Sequence, residues 1–290
     1  MLAEVGMFYN IKTFSHKGSS RVNEDVYFAA SKFMWVLDGA TGLGDNLIKE
    51  AESDAKWYTA KIDAFLKNHI EEFEGSLVAL MRECIRTVWA DFLKKIEEEK
   101  ICSENYPSAS GGIVRLQGEQ LEYIVFGDCP VILERKDGNV EEYVDHNLRN
   151  LDYWAVEKYL DMSERMGIPF REIQKREKQI LIDNRKRMNT DAGYYNISFL
   201  PEAAEHAVYG ILPRKDISAI SLSTDGFAQY YTLFGLAQNV EEYMKKMRLL
   251  QLEDIWRELY TKQIEDYKME NYPRFKISDD ATAIFCECGE

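Results

Sequence analysis

An α+β fold, with helices packed against antiparallel sheets, is predicted by three observations on this 290-residue sequence. Short β-like runs are clustered, and stretches of helical periodicity stand between the clusters. The order is not a regular strand–helix–strand series, which disfavours a parallel sheet built from crossover units. The chain also has only six Pro, with no repeat and no Gly/Ser-rich spacer, so a single domain over 1–290 is expected. Its 46% hydrophobic content, including 17 Tyr and 14 Phe, is ample for a substantial core.

The elements follow in order. Residues 7–14 and 26–37 contain β-like runs. From about Asn46 to Ile70, apolar residues at Ile48, Ala51, Ala55, Tyr58, Ile62, Phe65 and Leu66 fall at helical spacing. Leu77, Met81, Cys84, Val88, Phe92 and Ile96 repeat it, and both stripes read as core-facing packing. From Gly112 the period changes, and "GIVRL", "LEYIVFGD" and "VILERKDGNVEEYV" read as three short strands with tight turns. Residues 148–185 are charged and helix-like, and 186–205 are loop-rich. A strand "AISLSTDG", a charged helical stretch over 239–269 and a last strand "ATAIFCEC" complete the chain.

Net charge is −14, from 50 acidic against 36 basic residues. That sign disfavours nucleic-acid or anionic-membrane partners and suits cation binding. Apolar runs fall far short of the roughly 20 residues that span a bilayer. The start "MLAEVGMFYNIKTF" lacks a basic segment followed by an apolar block, so a cytoplasmic location is the expectation, and a monomer is expected as well. Of the five Cys, Cys286 and Cys288 share a strand face, but no second pair completes a zinc site. Buried, reduced thiols are expected.

Carboxylates recur beside the ends of apolar runs: "RVNEDVYF" (Glu24, Asp25), "WVLDGATG" (Asp38), "IVFGDCPV" (Asp128), "ISLSTDGF" (Asp225) and "ISDDATAIF" (Asp279, Asp280). Asp137-Gly138, between charged residues, reads as an ordinary hairpin turn. Asp38-Gly39 and Asp225-Gly226 follow buried-type runs and invite another explanation. If these ends converge, like charges crowd and need compensation. A divalent cation with all-oxygen ligands, Mg²⁺ or Mn²⁺, would supply it.

The ordered set "RVNED", "VLDG", "FGD", "STDGF" and "DDAT" resembles the protein phosphatase 2C family, the PPM-type metal-dependent serine/threonine phosphatases, over about residues 12–288. The resemblance implies a four-layer α-β-β-α sandwich, two antiparallel sheets flanked by helices. It implies Asp38 as the carboxylate bridging two metal ions and the Gly39 carbonyl as a ligand of one. Asp225 and Asp279 would hold the first metal, Glu24 and Asp25 would surround the second, and Asp128 would serve a weaker third site. In "DDAT", Asp280 takes the place of the family's Asn. The implied reaction is hydrolysis of phosphoserine or phosphothreonine in protein substrates by in-line attack of a metal-bridging water, with Asp38, Asp225 and Asp279 central. A thiol phosphatase needs a catalytic loop of the type C-x5-R, and the only such spacing, Cys129 to Arg135, runs through the strand-like "VILER". Alternatives are a catalytically weak metal-binding regulatory module on the same fold and a small-molecule phosphomonoesterase.

The pattern departs in places. The family's phosphate-gripping basic residue stands five positions before its Asp. Here Ser20 occupies that place and Arg21, one closer, is the candidate, with Lys17 as a substitute. Ala40 stands where some relatives have His, Gly111 where many have Thr, and Cys129 where Ser is common. The family's variable flap falls at about 145–215. In this chain that stretch carries the basic run "KREKQILIDNRKRMN", which reads first as a solvated helix face and alternatively, for Arg185 to Arg187, as an attractor of phosphorylated substrate near the site mouth.

Overall fold

The computed structural model describes residues 7–96 and 102–289 of the chain. Residues 1–6, on which the reading of the N-terminus partly rests, lie outside the described residues. The strands are β1 (Phe8–His16), β2 (Val26–Ala29), β3 (Phe33–Ala40), β4 (Ser108–Gln117), β5 (Gln120–Phe126), β6 (Val131–Arg135), β7 (Val140–Tyr143), β8 (Val208–Pro213), β9 (Ile217–Ser223) and β10 (Ala281–Cys288). They form two five-stranded sheets, ordered β1-β10-β9-β6-β7 and β2-β3-β4-β5-β8. Every pairing is antiparallel. Helices α1 (Asp54–His69) and α2 (Leu77–Leu93) cover the second sheet. Between β7 and β8 run α3 (His146–Met166), α4 (Phe170–Arg176) and α5 (Gln179–Arg185). The first sheet is covered by α6 (Asp225–Thr232), α7 (Val240–Leu249) and α8 (Leu252–Glu265).

The layering follows from strand alternation. On β3, Trp35 and Leu37 pack toward α1 and α2, while Met34 and Val36 join Leu222 and Ile284 between the sheets. On β10, Ile284 and Cys286 face the inter-sheet core, and Ala283 and Phe285 lie under α6–α8. Because both faces are covered, the central strands read as continuous apolar runs such as "FMWVL". The result is the four-layer α-β-β-α sandwich. A separate cluster of Ala155, Tyr159, Phe170, Ile173 and Met269 holds α3 and α4 together.

Several boundaries differ from the pattern reading. Helix α1 starts at Asp54, not near Asn46. Ser53 caps it by accepting the Lys56 N–H at 3.1 Å, and the Asp54 carboxylate accepts the N–H groups of Leu47 and Ile48 at 2.7 and 2.9 Å. Those bonds hold 47–53 as a loop, from which Ile48 is still buried. Helix α2 ends at Leu93, so Ile96 lies beyond it. The three-strand block is four strands, β4 to β7, with Asp137-Gly138 turning the last hairpin at a Gly138 φ of +88°. β8, unanticipated inside 145–215, is an edge strand on β5. The stretch 239–269 is two helices. Cys84, Cys129, Cys286 and Cys288 are buried free thiols, and Cys102 is exposed. No helix among the described residues is long and apolar enough to cross a membrane.

Candidate active site

The ends of β3, the β5–β6 connection, the first turn of α6 and the loop before β10 surround one cleft of about 370 Å³. Glu24, Asp38, Gly39, Asp128, Asp225 and Asp279 all line it. Asp25 is buried; its Oδ2 accepts from Thr224 Oγ1 at 2.9 Å and its Oδ1 has no hydrogen-bond partner. Thr224 is the residue before α6, so this bond ties the segment before β2 to the start of that helix. Glu24 is held from another side, its Oε1 accepting from Thr41 Oγ1 at 2.6 Å.

The two unusual Asp-Gly pairs are close approaches, not turns. A Cβ on Gly39 would stand 2.8 Å from the Glu24 carbonyl oxygen and 3.0 Å from Thr59 Cγ2. One on Gly226 would stand 1.9 Å from the Asp280 carbonyl oxygen. Any side chain there would push apart the backbone segments that bear the carboxylates. Asp280 is a structural acceptor. Its two oxygens take the N–H groups of Gly18 and Glu24, each at 2.8 Å, and so pin the Glu24–Asp25 segment beside Asp279.

Crowding sets the electrostatics. Burial, then the neighbouring Asp225 and Asp25, hold the Asp38 carboxyl well above the usual range. Burial, then Asp128 and Asp279, push Asp225 up to about 7. Asp25 and Asp128 are raised as well, chiefly by burial, with Asp280 adding to the first and Arg149 opposing the second. The folded protein therefore binds these protons more tightly than the unfolded chain does. Such groups favour folding at low pH and oppose it increasingly as pH climbs toward their folded values. Ordinary carboxylates have finished titrating by about pH 5.5. From there to about pH 8, the metal-free protein is expected to lose Tm in scanning calorimetry, and Mn²⁺ should restore it. A metal-free Tm that rises through that window would contradict the crowding.

Two residues escaped the sequence reading. Asp152 on α3 lines the cleft, its carboxyl raised by burial and then by Asp128 and Asp225. The available signal was Leu148, Asp152, Ala155 and Tyr159 at helical spacing, a carboxylate within an apolar stripe. Lys276, its side chain 42% exposed, places Nζ 2.5 Å from Asp279 Oδ1. Partial burial pulls its ammonium down, but Asp279, Asp38 and Asp225 outweigh that and raise it.

Other expectations are corrected. Arg21 is exposed in the loop between β1 and β2 and does not line the cleft, whereas Ser20 does. Lys17 donates to the Arg21 carbonyl at 3.4 Å. Arg185 does line the cleft, but as a strap, donating to the carbonyls of Ala40 at 3.0 Å and Tyr106 at 2.8 Å. Lys186 faces Glu104 at 3.6 Å, and Arg187 is exposed. No histidine lines the cleft among the described residues.

Donor chemistry decides which cation the cleft suits. The donors are carboxylates and backbone carbonyls without Cys or His, one buried carboxylate oxygen is orphaned, and the carboxyls repel one another, all of which fit Mg²⁺ or Mn²⁺. Among the described residues no group of three or more Asp, Glu, His or Cys is spaced to enclose an ion. The side chains face one another instead: Asp38 stands beside Asp225, and Asp279 takes Lys276. Binding an ion would therefore need these carboxylates to release those contacts.

No family model matches the chain, and no curated protein matches it in sequence. Solved structures do. The serine/threonine phosphatase PstP/Ppp of Mycobacterium tuberculosis is 13% identical, over 98% of this chain and 100% of that one, at a TM-score of 0.54. The PPM Ser-Thr phosphatase MsPP from Mycobacterium smegmatis is 12% identical, over 96% and 98%, at 0.53. Stp1 from Staphylococcus aureus is 11% identical, over 97% and 95%, at 0.52. A PstP catalytic domain solved with two manganese ions is 12% identical, over 98% and 100%, at 0.52. These identities speak to architecture alone. Along nearly its whole length, the chain has the fold of the bacterial PPM-type, PP2C-like serine/threonine phosphatases.

Proposed function

We propose that this chain is a Mg²⁺- or Mn²⁺-dependent phosphatase that removes phosphate from phosphoserine or phosphothreonine in proteins. The observation that supports it is the convergence of Glu24, Asp38, Asp128, Asp225 and Asp279 on one cleft, with Asp25 buried among them. Asp38, the Gly39 carbonyl, Asp225 and Asp279 would hold one or both of two ions, Glu24 and Asp25 would surround the second, and Asp128 would face a third, weaker position. When bound, such ions lower the pKa of water and neutralise charge on the phosphoryl oxygens.

The remaining work falls to the chain. Asp280 and Thr41 fix Glu24 in place, and Gly39 and Gly226 let the carboxylate-bearing segments close up. Lys276 takes the part expected of Arg21, since the other cleft cation, Arg185, is occupied by two carbonyls. It is placed to meet an anionic oxygen once Asp279 turns to a metal. Helices α3 to α5 form the flap over a single catalytic domain, and a cytoplasmic monomer acting on phosphoproteins completes the proposal.

A second reading, a regulatory metal-binding module on this fold, is favoured by Arg21 lying outside the cleft and by the unformed ligand cage. Hydrolysis of p-nitrophenyl phosphate with Mn²⁺, with and without chelator, separates the two. Mn²⁺-dependent turnover abolished by chelator is the expected result. Chelator-resistant turnover would refute the metal mechanism, and no turnover with any divalent ion would support the regulatory module.

A further inference from the structure

Beside the cleft lies a groove of about 600 Å³, and the two are continuous: Ser20, Leu43, Leu181, Phe275 and Lys276 line both. Its charged lining is entirely cationic. Arg171 and Lys175 stand one turn apart on α4, Lys178 follows at the start of α5, and Lys276 closes the end toward the cleft. No carboxylate lines the groove. Arg171, Lys175 and Lys178 form no ion pair among the described residues, whereas neighbouring Arg176 is paired with Glu172. The floor is apolar, formed by Leu181, Met269 and Phe275, and Leu43 on its rim is 43% exposed.

In a protein of net charge −14, three cations without an ion-pair partner on a wall lined by no carboxylate are a local reversal of sign, although Glu172 and Glu177 stand between them in the chain. Such a wall attracts an acidic partner over a distance of about a Debye length, ~10 Å at 0.1 M salt. The cleft next to it is crowded with carboxylates and repels the same partner until that charge is compensated. A phosphorylated segment thus meets opposite fields at two adjacent places, and the groove is the favourable one.

We propose that this groove seats the substrate residues flanking the phosphorylated side chain and selects segments that carry acidic side chains beside an apolar one. The acidic groups would meet Arg171, Lys175 and Lys178, and the apolar one would cover Leu181 and Phe275. The proposal rests on the phosphatase reading for its substrate but not for its binding, which can be measured without turnover.

The probes are a fluorescein-labelled phosphoserine peptide with Asp and Leu flanking the phosphoserine, and a twin with Asn in place of each Asp. Anisotropy titrations of the full chain at low salt are expected to show the acidic peptide binding at least ~10-fold more tightly. The preference should shrink toward unity near 0.5 M salt, where screening is short-ranged. Lys175→Glu with Lys178→Glu should abolish the preference, weakening the acidic peptide far more than the twin, whose one charged side chain is the phosphoserine. Lys175→Ser with Lys178→Ser, which leaves these exposed positions neutral, serves if the reversed variant does not fold. Equal affinity for the two peptides in the unaltered protein, or a preference that survives in either double variant, would overturn the groove. Phosphate release is followed in parallel with Mn²⁺ present. Preferential binding without any release would leave the groove standing and remove the phosphatase reading.

Discussion

Asp38→Asn is expected to lower kcat for p-nitrophenyl phosphate with Mn²⁺ by at least ~100-fold, the scale of losing a main electrostatic element of an active site. The amide keeps the shape of the carboxylate but not the charge that the proposed bridging of two cations would need. Folding should survive. In the metal-free protein, burial together with Asp225 and Asp25 already favours the neutral form of Asp38, so the neutral amide relieves repulsion. The metal-free Tm should stay level or rise slightly, while the increase in Tm on adding Mn²⁺ shrinks. The combination of unaltered folding, weaker Mn²⁺ response and lost turnover distinguishes a metal-bridging role from damage. Turnover near that of the unaltered protein would remove Asp38 from the reaction.

Arg115→Met should cost about 3–5 kcal/mol of stability, the range for stranding one partner of a buried ion pair. Arg115 on β4 and Glu122 on β5 are both almost fully buried, with Arg115 Nη2 2.5 Å from Glu122 Oε2. The guanidinium also donates to the carbonyls of Phe73 at 2.9 Å and Gly75 at 2.7 Å, tying the α1–α2 connection to the sheet. The carboxylate left behind still accepts from the Leu77 N–H at 2.6 Å and the Tyr209 hydroxyl at 2.8 Å. Adding Glu122→Gln to the variant removes the stranded charge while its amide oxygen can keep both donors, which meet the same oxygen, Oε1, so part of the loss should return. Urea unfolding measures both steps. Catalysis should be little affected in the folded fraction, because Arg115 pairs with Phe33 at the end of β3 remote from Asp38. Five residues at about 3.3 Å each put roughly 17 Å between them. A loss below ~1 kcal/mol would show the pair to be dispensable.

Most of the carboxylates that line the candidate cleft were legible along the chain. A carboxylate following an apolar run marks the place where a buried strand meets a polar end, and the strand period dictates its facing. Asp38 and Asp225 could be read in that way, and Glu24, Asp128 and Asp279 by their place in the same ordered set. The two glycines next to Asp38 and Asp225 stood apart from an ordinary turn because no charged residues surrounded them, unlike Asp137-Gly138, but their close backbone approaches came only with the fold. Helix ends were less legible: the start of α1 is decided by the Ser53 cap and the Asp54 carboxylate, both weaker signals than the apolar stripe that runs past them.

Local pattern thus determined helices packed on antiparallel sheets and the order of the carboxylates along the chain, while the four-layer arrangement came from the family resemblance and the exposure of Cys102 only from the fold. Tertiary structure alone decided the cations. Arg21 and Lys276 sit in loops, where no period governs direction, and long flexible stems let either reach or miss the cleft. Arg185 was turned from substrate attractor to strap by two carbonyls, on Ala40 and Tyr106, that lie 145 and 79 residues away in sequence. Asp152 entered the cleft only because α3 packs across it. Strand periodicity acts between neighbours and can be read along the chain; the charge balance of a cleft is summed over segments that only folding brings within a few ångströms of one another.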